Sequence, residues 1–296
     1  MSAISQETKK IIQDQYSIRQ LTENDMKQMH RTFSESFSDY AVPYKLTLDE
    51  FAHKMRHKIH LSYRYTSGAF SNEKLVAFVF HSLNQYENEL TAYNGGTGVL
   101  QGHRGNKLPA ALYDHILPTL SSGGVRFCVL EVLEKNHQAI KVYEQIGFIR
   151  TKRFGCFQLK HPKKLKSDGI TVESVKEPNL QLYDDFGICV TSFGDTMEQL
   201  KFNINYETTL EVIVDGKQAG YLIFQPLLGR VTRFGVRVEH RRKGIGRALF
   251  ARASKLARKT LSVINVNRDY SGEIDFLESI GFVNTLDQFE MKLEIK

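Results

Sequence analysis

The stretch Gly235–Leu249, GVRVEHRRKGIGRAL, decides the interpretation of this 296-residue sequence. An alternating apolar run leads into a basic turn with Gly244 and Gly246, and a helical pattern begins at Ile245. This order predicts a strand, a phosphate-sized loop and a helix. The first N–H groups of a helix lack partners within it and carry the positive end of the dipole, so they favour an anion. Glycine lets the backbone approach that anion closely. The alternative is a solvated turn before an ordinary helix.

The same stretch occurs twice. Residues Gly98–Leu112 read GVLQGHRGNKLPAAL and share Gly, Val, His, Arg, Ala and Leu with the later copy at the same places, without gaps. Downstream, the Gly-Phe pair at 147–148 recurs at 281–282. The distance from the loop arginine to this glycine is 43 residues in the first copy and 40 in the second. Such self-similarity at a domain-sized interval indicates an internal duplication.

Two motifs resemble those of a known family. Residues 241–246 resemble the coenzyme A pyrophosphate loop of the GNAT (Gcn5-related) N-acetyltransferases, with Arg three residues before the first Gly. Asn136, Ala139, Tyr143 and the Gly-Phe pair at 147–148 resemble the family's second motif, in which Asn opens a helix. The resemblance implies an α/β (α+β) fold of two tandem GNAT-like domains, each a mixed, mostly antiparallel sheet flanked by helices. It also implies transfer of acetyl from acetyl-CoA to a primary amine.

Length and composition agree with two domains. At ~150 residues per domain, the chain predicts about two. Its 41% hydrophobic and 25% charged content lets each half bury a core. We predict a GNAT-like acetyltransferase domain at 1–160, a polar, basic linker HPKKLKSDG at 161–169, and a second GNAT-like domain at 170–296.

The net charge of +7 admits nucleic acid, a membrane surface or an anionic ligand. The sequence has no nucleic-acid-binding motif, no basic amphipathic anchor and no apolar run near the ~18–20 residues that span a bilayer. We therefore predict no nucleic-acid or membrane partner and a small-molecule or peptide amine as acceptor. The predicted assembly is a monomer with an internal pseudo-dimer, or a homodimer.

The cysteines and histidines predict no metal site. The three cysteines have no metal-ligand spacing, Cys128 lies in an apolar run that predicts burial, and the histidines form no HExxH pattern. A reducing cytoplasm is the expected compartment. The only cofactor that the resemblance implies is acetyl-CoA, as co-substrate.

The predicted coenzyme contacts lie on both loops. In the first half they are Val99, Arg104, Gly105, Asn106, Lys107, Leu108 and Asn136. In the second half they are Val236, Val238, Arg241, Arg242, Lys243, Gly244, Ile245, Gly246 and Arg247. Backbone donors and basic side chains are expected to hold the pyrophosphate there. The first loop is altered, because Lys107 and Pro109 replace the two glycines and proline removes one N–H.

The catalytic residues implied by the resemblance lie in the first half. Tyr143 occupies the family's Tyr position and is predicted to protonate the departing thiolate; the alternative is a core aromatic on the face of Ile140 and Ile146. The base is predicted from position in the sequence instead: Glu131 lies on the strand before Tyr143, and Glu89, near the start of the strand leading to Gly98, is a second candidate. The alternative is that each is only a solvated strand carboxylate. The corresponding position to Tyr143 in the second half is Leu277. Either the first half catalyses with an adapted loop, which we favour, or the second half catalyses without a Tyr acid.

Other interpretations remain open at this stage. A non-catalytic acyl-CoA sensor would bind coenzyme without turnover, and a nucleic-acid binder would bind duplex with steep salt dependence. Phe37, Asp39, Tyr40 and Tyr44 are candidates for shaping the acceptor site, or else they pack a helix onto the sheet. Residues 1–15 are expected to form a loosely held leader. Glycines within the strand at 89–100 predict a bulge or a close backbone approach.

Overall fold

The computed structural model describes residues 5–39, 46–165, 169–186 and 192–296. Its helices are α1 (Gln6–Gln15), α2 (Met26–Ser36), α3 (Leu48–His53), α4 (Leu108–Ser122), α5 (His137–Ile146), α6 (Met197–Asn203), α7 (Ile245–Leu256) and α8 (Ser271–Ser279). Its strands are β1 (Ser17–Gln20), β2 (Ser67–Ser71), β3 (Lys74–Tyr86), β4 (Glu89–Val99), β5 (Phe127–Leu133), β6 (Ile149–Leu159), β7 (Glu173–Val175), β8 (Thr208–Val214), β9 (Lys217–Gln225), β10 (Arg230–Val236), β11 (Ser262–Asn267) and β12 (Phe282–Glu294).

The chain forms two compact units. Unit 1 comprises Met1–Thr151 and Met291–Lys296, and unit 2 comprises Lys152–Glu290. This division departs from the predicted domains of 1–160 and 170–296, since most of β6 belongs to unit 2 and the last six residues belong to unit 1. Backbone pairing accounts for both differences. Residues 154–158 of β6 pair with β11, and the Ile295 N–H donates to the Arg126 carbonyl at 2.9 Å.

Each unit contains a mixed, mostly antiparallel sheet flanked by helices, which confirms the predicted fold class. In unit 1 the strand order is β1-β2-β3-β4-β5 followed by the end of β12; β1 with β2, β2 with β3 and β3 with β4 pair antiparallel, and β4 with β5 pairs parallel. In unit 2 the order is β7-β8-β9-β10-β11-β6-β12, with β10 and β11 parallel. Parallel strands need a crossover, and α4 and α7 provide it.

Local signals place several helix ends where the sequence predicts them. Thr22 and Asp25 form a capping box ahead of α2. The Asn136 side chain accepts the Ala139 N–H at the start of α5, and Gly147, with φ +113°, ends that helix in the left-handed region.

The expected loose leader is wrong for the residues that the structure describes there. Gln6–Gln15 form α1, in which Ile12 is buried and the Lys9 ammonium lies 3.1 Å from the Asp114 carboxylate. Burial of one apolar face stabilises this otherwise polar helix.

Separate aromatic and aliphatic cores hold the helices on the sheets. In unit 1, Phe33 of α2 and Phe51 of α3 pack against Phe78 and Phe80 of β3, whose rings stack at 4.1 Å. In unit 2, α7 packs its apolar face, including Phe250, on β8 and β9. Burial of these rings is the main favourable term for each unit.

Strand β4 contains the bulge that its glycines predict. Phe80 pairs with Gly96 and His81 pairs with Asn94, so Gly95 has no partner opposite it. A Cβ on Gly95 would lie 2.9 Å from the Ile59 side chain, and one on Gly98 would lie 2.5 Å from the Phe78 ring. A side chain at either position would therefore force the neighbouring side chain to move.

Candidate functional site

The two predicted loops have matching backbones. Arg104 has φ −64° and ψ 155°, and its counterpart Arg241 has φ −64° and ψ 157°. The residue immediately before each helix is left-handed, with φ +55° at Lys107 and φ +85° at Gly244. The first loop therefore retains its shape although lysine replaces glycine at this strained position.

The arginine of each loop is held by protein acceptors. Arg104 donates from Nε to the Val99 carbonyl at 3.3 Å and from Nη2 to the Ser36 carbonyl at 3.2 Å. In unit 2, Arg241 likewise donates from Nε to the Val236 carbonyl at 3.1 Å. These guanidinium groups fix the loops in place, which leaves anion binding mainly to the backbone N–H groups.

Asp39 adds a carboxylate to the first loop. Its oxygens accept from Arg104 Nη1 at 2.7 Å and from Nη2 at 3.1 Å. The Arg104 guanidinium lowers the pKa of Asp39, and the carboxylate raises the pKa of Arg104. Asp39 is a sequence-predicted candidate for the acceptor site, and its pairing with Arg104 could not be predicted because the partners are 65 positions apart. Tyr40 and Tyr44 lie outside the described residues.

Unit 1 has a cavity of about 910 Å³ directly at its loop. Predicted residues from both motifs line it, namely Val99, Arg104, Gly105, Lys107, Leu108, Asn136 and Tyr143. Pro109 and the strand residues Thr97 and Gly98 also line it, and Val142 lines it from α5. The fold thus brings a loop and a tyrosine that lie about 40 residues apart in the chain into one space.

Tyr143 is half-buried and lines this cavity. Its ring packs edge-on against Phe148 at 5.6 Å between centroids, whereas Ile140 and Ile146 on the same helix are buried. The ring is therefore anchored in the core while the residue faces the cavity, so packing and chemistry are compatible at this position. Asn136 lines the same cavity, with its side-chain oxygen used as the helix cap.

Glu131 does not line this cavity; its carboxylate accepts the Tyr93 hydroxyl at 2.6 Å. Tyr93 is the last β4 residue in register with β5, so the pair lies where the two strands part. Tyr93 could not be predicted as the partner of Glu131, because the sequences of two strands do not specify their register. Glu89 is exposed at the start of β4 and does not line the cavity.

The corresponding region of unit 2 is filled by aromatic rings. A Cβ on Gly246 would lie 2.8 Å from the Phe276 ring, so that ring rests directly on the first turn of α7. Phe276 also lies 5.9 Å from Phe234 and 5.7 Å from Phe250, between ring centroids. In the alignment of the two halves, Phe276 corresponds to Val142 of the unit 1 cavity.

The remaining predicted contacts of unit 2 are scattered along its loop. Val238, Arg242 and Lys243 are exposed, whereas Gly246 and Ile245 are buried at the start of α7. Val236 and Arg247 are partly buried. Gly246 and Ile245 are thus covered by neighbouring side chains, whereas Val238, Arg242 and Lys243 face solvent.

The described residues contain neither a cluster suited to a metal ion nor a helix suited to crossing a membrane. Among residues 5–39, 46–165, 169–186 and 192–296, no group of three or more His, Cys, Asp or Glu side chains is arranged to hold a metal ion. Over the same residues, every helix is too short or too polar to cross a bilayer.

Each half of the chain matches a family model. A family model described as the acetyltransferase (GNAT) family matches residues 24–148, and one described as an acetyltransferase (GNAT) domain matches residues 206–284. Comparison with curated proteins gives no match.

Similar solved structures cover almost the whole chain. A tandem GNAT protein from the clavulanic acid biosynthesis pathway is 13% identical with a TM-score of 0.71, covering 95% of this chain and 99% of that one. A GCN5-related N-acetyltransferase from Sphaerobacter thermophilus is also 13% identical, with a TM-score of 0.71 and 96% coverage of each chain. One from Anabaena variabilis is 10% identical with a TM-score of 0.64, covering 95% and 73%. At these identities the likeness establishes the fold alone.

Proposed function

Because the chain belongs to the GNAT (Gcn5-related) N-acetyltransferase family, we propose that unit 1 transfers an acetyl group from acetyl-CoA to a primary amine. One observation carries the proposal. A single cavity of about 910 Å³ is lined by the loop before α4, by Asn136 and by Tyr143. Its volume lies within the range of small-molecule and cofactor sites.

The residues present fit a coenzyme with phosphates. The first N–H groups of α4 have no partner within the helix and lie at the positive end of its dipole. Left-handed backbone at Gly105 and Lys107 shapes the approach to them. Within the described residues, the register of β4 with β5 ends at Tyr93 and Val129, so later residues of β4 can offer backbone groups to a pantetheine arm. Pro109 removes one donor and leaves its neighbours.

The chemistry needs two proton transfers. The amine nitrogen attacks the thioester carbonyl carbon, the C–N bond forms, and the C–S bond breaks as the tetrahedral adduct collapses. Tyr143 is proposed to give its hydroxyl proton to the departing sulfur. Glu131 accepts a hydrogen bond from Tyr93 and does not line the cavity. It is therefore proposed to accept the proton lost by the amine through an intervening water molecule.

We assign unit 2 a structural role without coenzyme. Its loop resembles the family's motif most closely, yet Phe276 rests on Gly246 where unit 1 has open space. Leu277 also stands where unit 1 has Tyr143 and is fully buried. The proposal therefore places one coenzyme site on each chain.

Calorimetry with acetyl-CoA, followed by release of free thiol in the presence of a panel of amines, tests this function. We expect one coenzyme per chain and amine-dependent thiol release. Val142→Phe, which adds a ring at the unit 1 position matching Phe276, should lower acetyl-CoA affinity at least about tenfold. Unchanged affinity in that variant would contradict the assignment to unit 1. Binding without turnover for any amine would instead favour the alternative, an acyl-CoA sensor.

A further inference from the structure

Asn94, one residue before the bulge in β4, uses its whole amide group inside unit 1. Its Oδ1 accepts the Gly96 N–H at 2.9 Å, which closes the bulge. Its Nδ2 donates to the Thr97 hydroxyl and to the Tyr113 hydroxyl, each at 2.8 Å. An N–H can only donate, so the Gly96 contact fixes which end of the amide is the oxygen. Asn94 is 5% exposed, so water does not supply these bonds.

Tyr113 extends this contact into a buried chain of hydrogen bonds, called the hydrogen-bond chain below. It lies on α4, is fully buried, and its hydroxyl is 3.8 Å from the Cys128 sulfur. That sulfur is 3.6 Å from His81 Nε2, and His81 Nδ1 is 2.7 Å from the Tyr65 carbonyl oxygen. The chain therefore joins β3, β5, α4 and the bulge of β4, and it also confirms the predicted burial of Cys128.

The groups at both ends of this hydrogen-bond chain determine the direction of every hydrogen bond in it. The Tyr65 carbonyl can only accept, so His81 carries its proton on Nδ1 and presents a bare Nε2 to the Cys128 thiol. The thiol donates to that nitrogen and accepts from the Tyr113 hydroxyl, whose oxygen accepts from Asn94. Burial lowers the pKa of His81 to about 4 and raises the pKa of Cys128 to about 12, so all members are neutral at pH 7.

The bulge that this chain holds comes immediately before a part of β4 that lines the cavity. Thr97 and Gly98, immediately beyond it, line the cavity. The Tyr113 ring also packs edge-on against Phe148 at 5.3 Å, and Phe148 packs against Tyr143. A shift of Tyr113 would therefore be felt both at the end of β4 and at the proposed acid.

We propose that the chain His81–Cys128–Tyr113–Asn94 sets the bulge of β4 and thereby positions the backbone of Thr97 and Gly98 against the acyl end of the coenzyme. Tyr113 and Asn94 are positioning residues, because both act through the backbone of β4. The inference rests on the proposed function of unit 1. It adds a connection between α4, whose start forms the phosphate loop, and the strand that receives the acyl group.

Tyr113→Phe tests the chain by removing one hydroxyl, and Tyr221→Phe is the matched control, because it removes a fully buried tyrosine hydroxyl from unit 2. In the free protein, we expect amide exchange at Gly96 to accelerate about tenfold in Tyr113→Phe and to stay unchanged in the control. We also expect the ratio of acetyl-CoA to coenzyme A affinity to fall several-fold, and kcat to fall about tenfold with little change in coenzyme A affinity.

Two cysteine variants separate hydrogen bonding from packing. Cys128→Ser keeps a donor and an acceptor and should stay within about twofold of the unaltered protein, whereas Cys128→Ala should follow Tyr113→Phe. Unchanged Gly96 exchange in both Tyr113→Phe and Cys128→Ala would overturn the inference, whatever the activity. If the unaltered protein binds neither coenzyme form, the proposed function fails, and Gly96 exchange still decides whether the chain holds the bulge.

Discussion

Lys107 of unit 1 and Gly244 of unit 2 hold the same backbone position, yet the regions behind them differ. Behind Lys107 lies a cavity of about 910 Å³ with Val142 in its wall. Behind Gly244, the Phe276 ring rests on the first turn of the helix. The loop with the better motif therefore has less room beside it. A glycine-bearing loop therefore does not by itself provide room for a ligand, because the side chains of α5 and α8 determine how much space lies beside it.

The greatest loss of activity is expected at Tyr143 of α5, which corresponds to Leu277 of α8. Tyr143→Phe should lower kcat for acetyl transfer by about 10²-fold or more, with coenzyme affinity unchanged, because the departing sulfur loses its proton donor. Steady-state kinetics with calorimetry measure both quantities. Tyr206→Phe, an exposed tyrosine of unit 2, is the control. Equal kcat in the two variants would assign any catalysis to another acid or to the other unit.

The units should also respond to pH in opposite directions. In unit 1, burial lowers the pKa of His81 to about 4, so below pH 6.5 the unfolded state binds more protons than the folded state. The free energy of unfolding should fall by about 3 kcal/mol between pH 6.5 and 4. In unit 2, burial raises the pKa of Glu273 to about 7 despite the opposing charge of Arg233, so stability should rise as pH falls from 7 towards 4.5.

Native-state hydrogen exchange, converted to opening free energies for β3 and for α8 at each pH, measures both slopes. Glu273→Gln removes the titrating group from unit 2 and should flatten its slope only. Slopes of the same sign in both units would contradict this prediction.

A ring placed at position 142 should fill the unit 1 cavity as Phe276 fills the matching region of unit 2. Val142→Phe places in unit 1 the ring that fills unit 2, and acetyl-CoA affinity should fall by at least about tenfold, or ~1.4 kcal/mol. Val283→Phe makes the same change at an exposed site of unit 2 and should leave affinity unaltered. Calorimetry of both variants decides; a similar affinity in each would mean that the cavity beside Val142 does not receive the coenzyme.

The smallest effect is expected at the loops themselves. Lys107 has φ +55°, which costs a side-chain-bearing residue roughly 1 kcal/mol, so Lys107→Gly should raise the free energy of unfolding by up to about that amount. The reciprocal Gly244→Ala should lower it similarly, since φ is +85° there and the new Cβ would lie 3.3 Å from Ile170. Denaturant titration of both variants tests the pair. Loss of stability in Lys107→Gly would show that the lysine side chain holds the loop.

Local features were predictable, and contacts between distant elements were not. The Asn136 cap follows from a short-range rule, and so does the hairpin at Asp215-Gly216, where φ is +51° and +72°. Both loops were located because glycine, arginine and spacing recur together. The ring of Phe276 could not be placed on Gly246 from sequence, since its contact depends on how α8 packs. The Tyr93–Glu131 bond likewise depends on strand register, which two isolated strands do not specify.

Because Met291–Lys296 belong to unit 1, that unit is completed only by residues that are synthesised after unit 2. When residues 1–151 have been synthesised, the loop, the cavity-lining residues and Tyr143 are present. The residue Ile295, whose N–H donates to the Arg126 carbonyl beside β5, has not yet been synthesised. Unit 1 therefore has to wait for translation through the whole of unit 2 before its sheet gains a last strand. A premature stop anywhere in unit 2 leaves the edge of β5 uncovered, which is a site for aggregation.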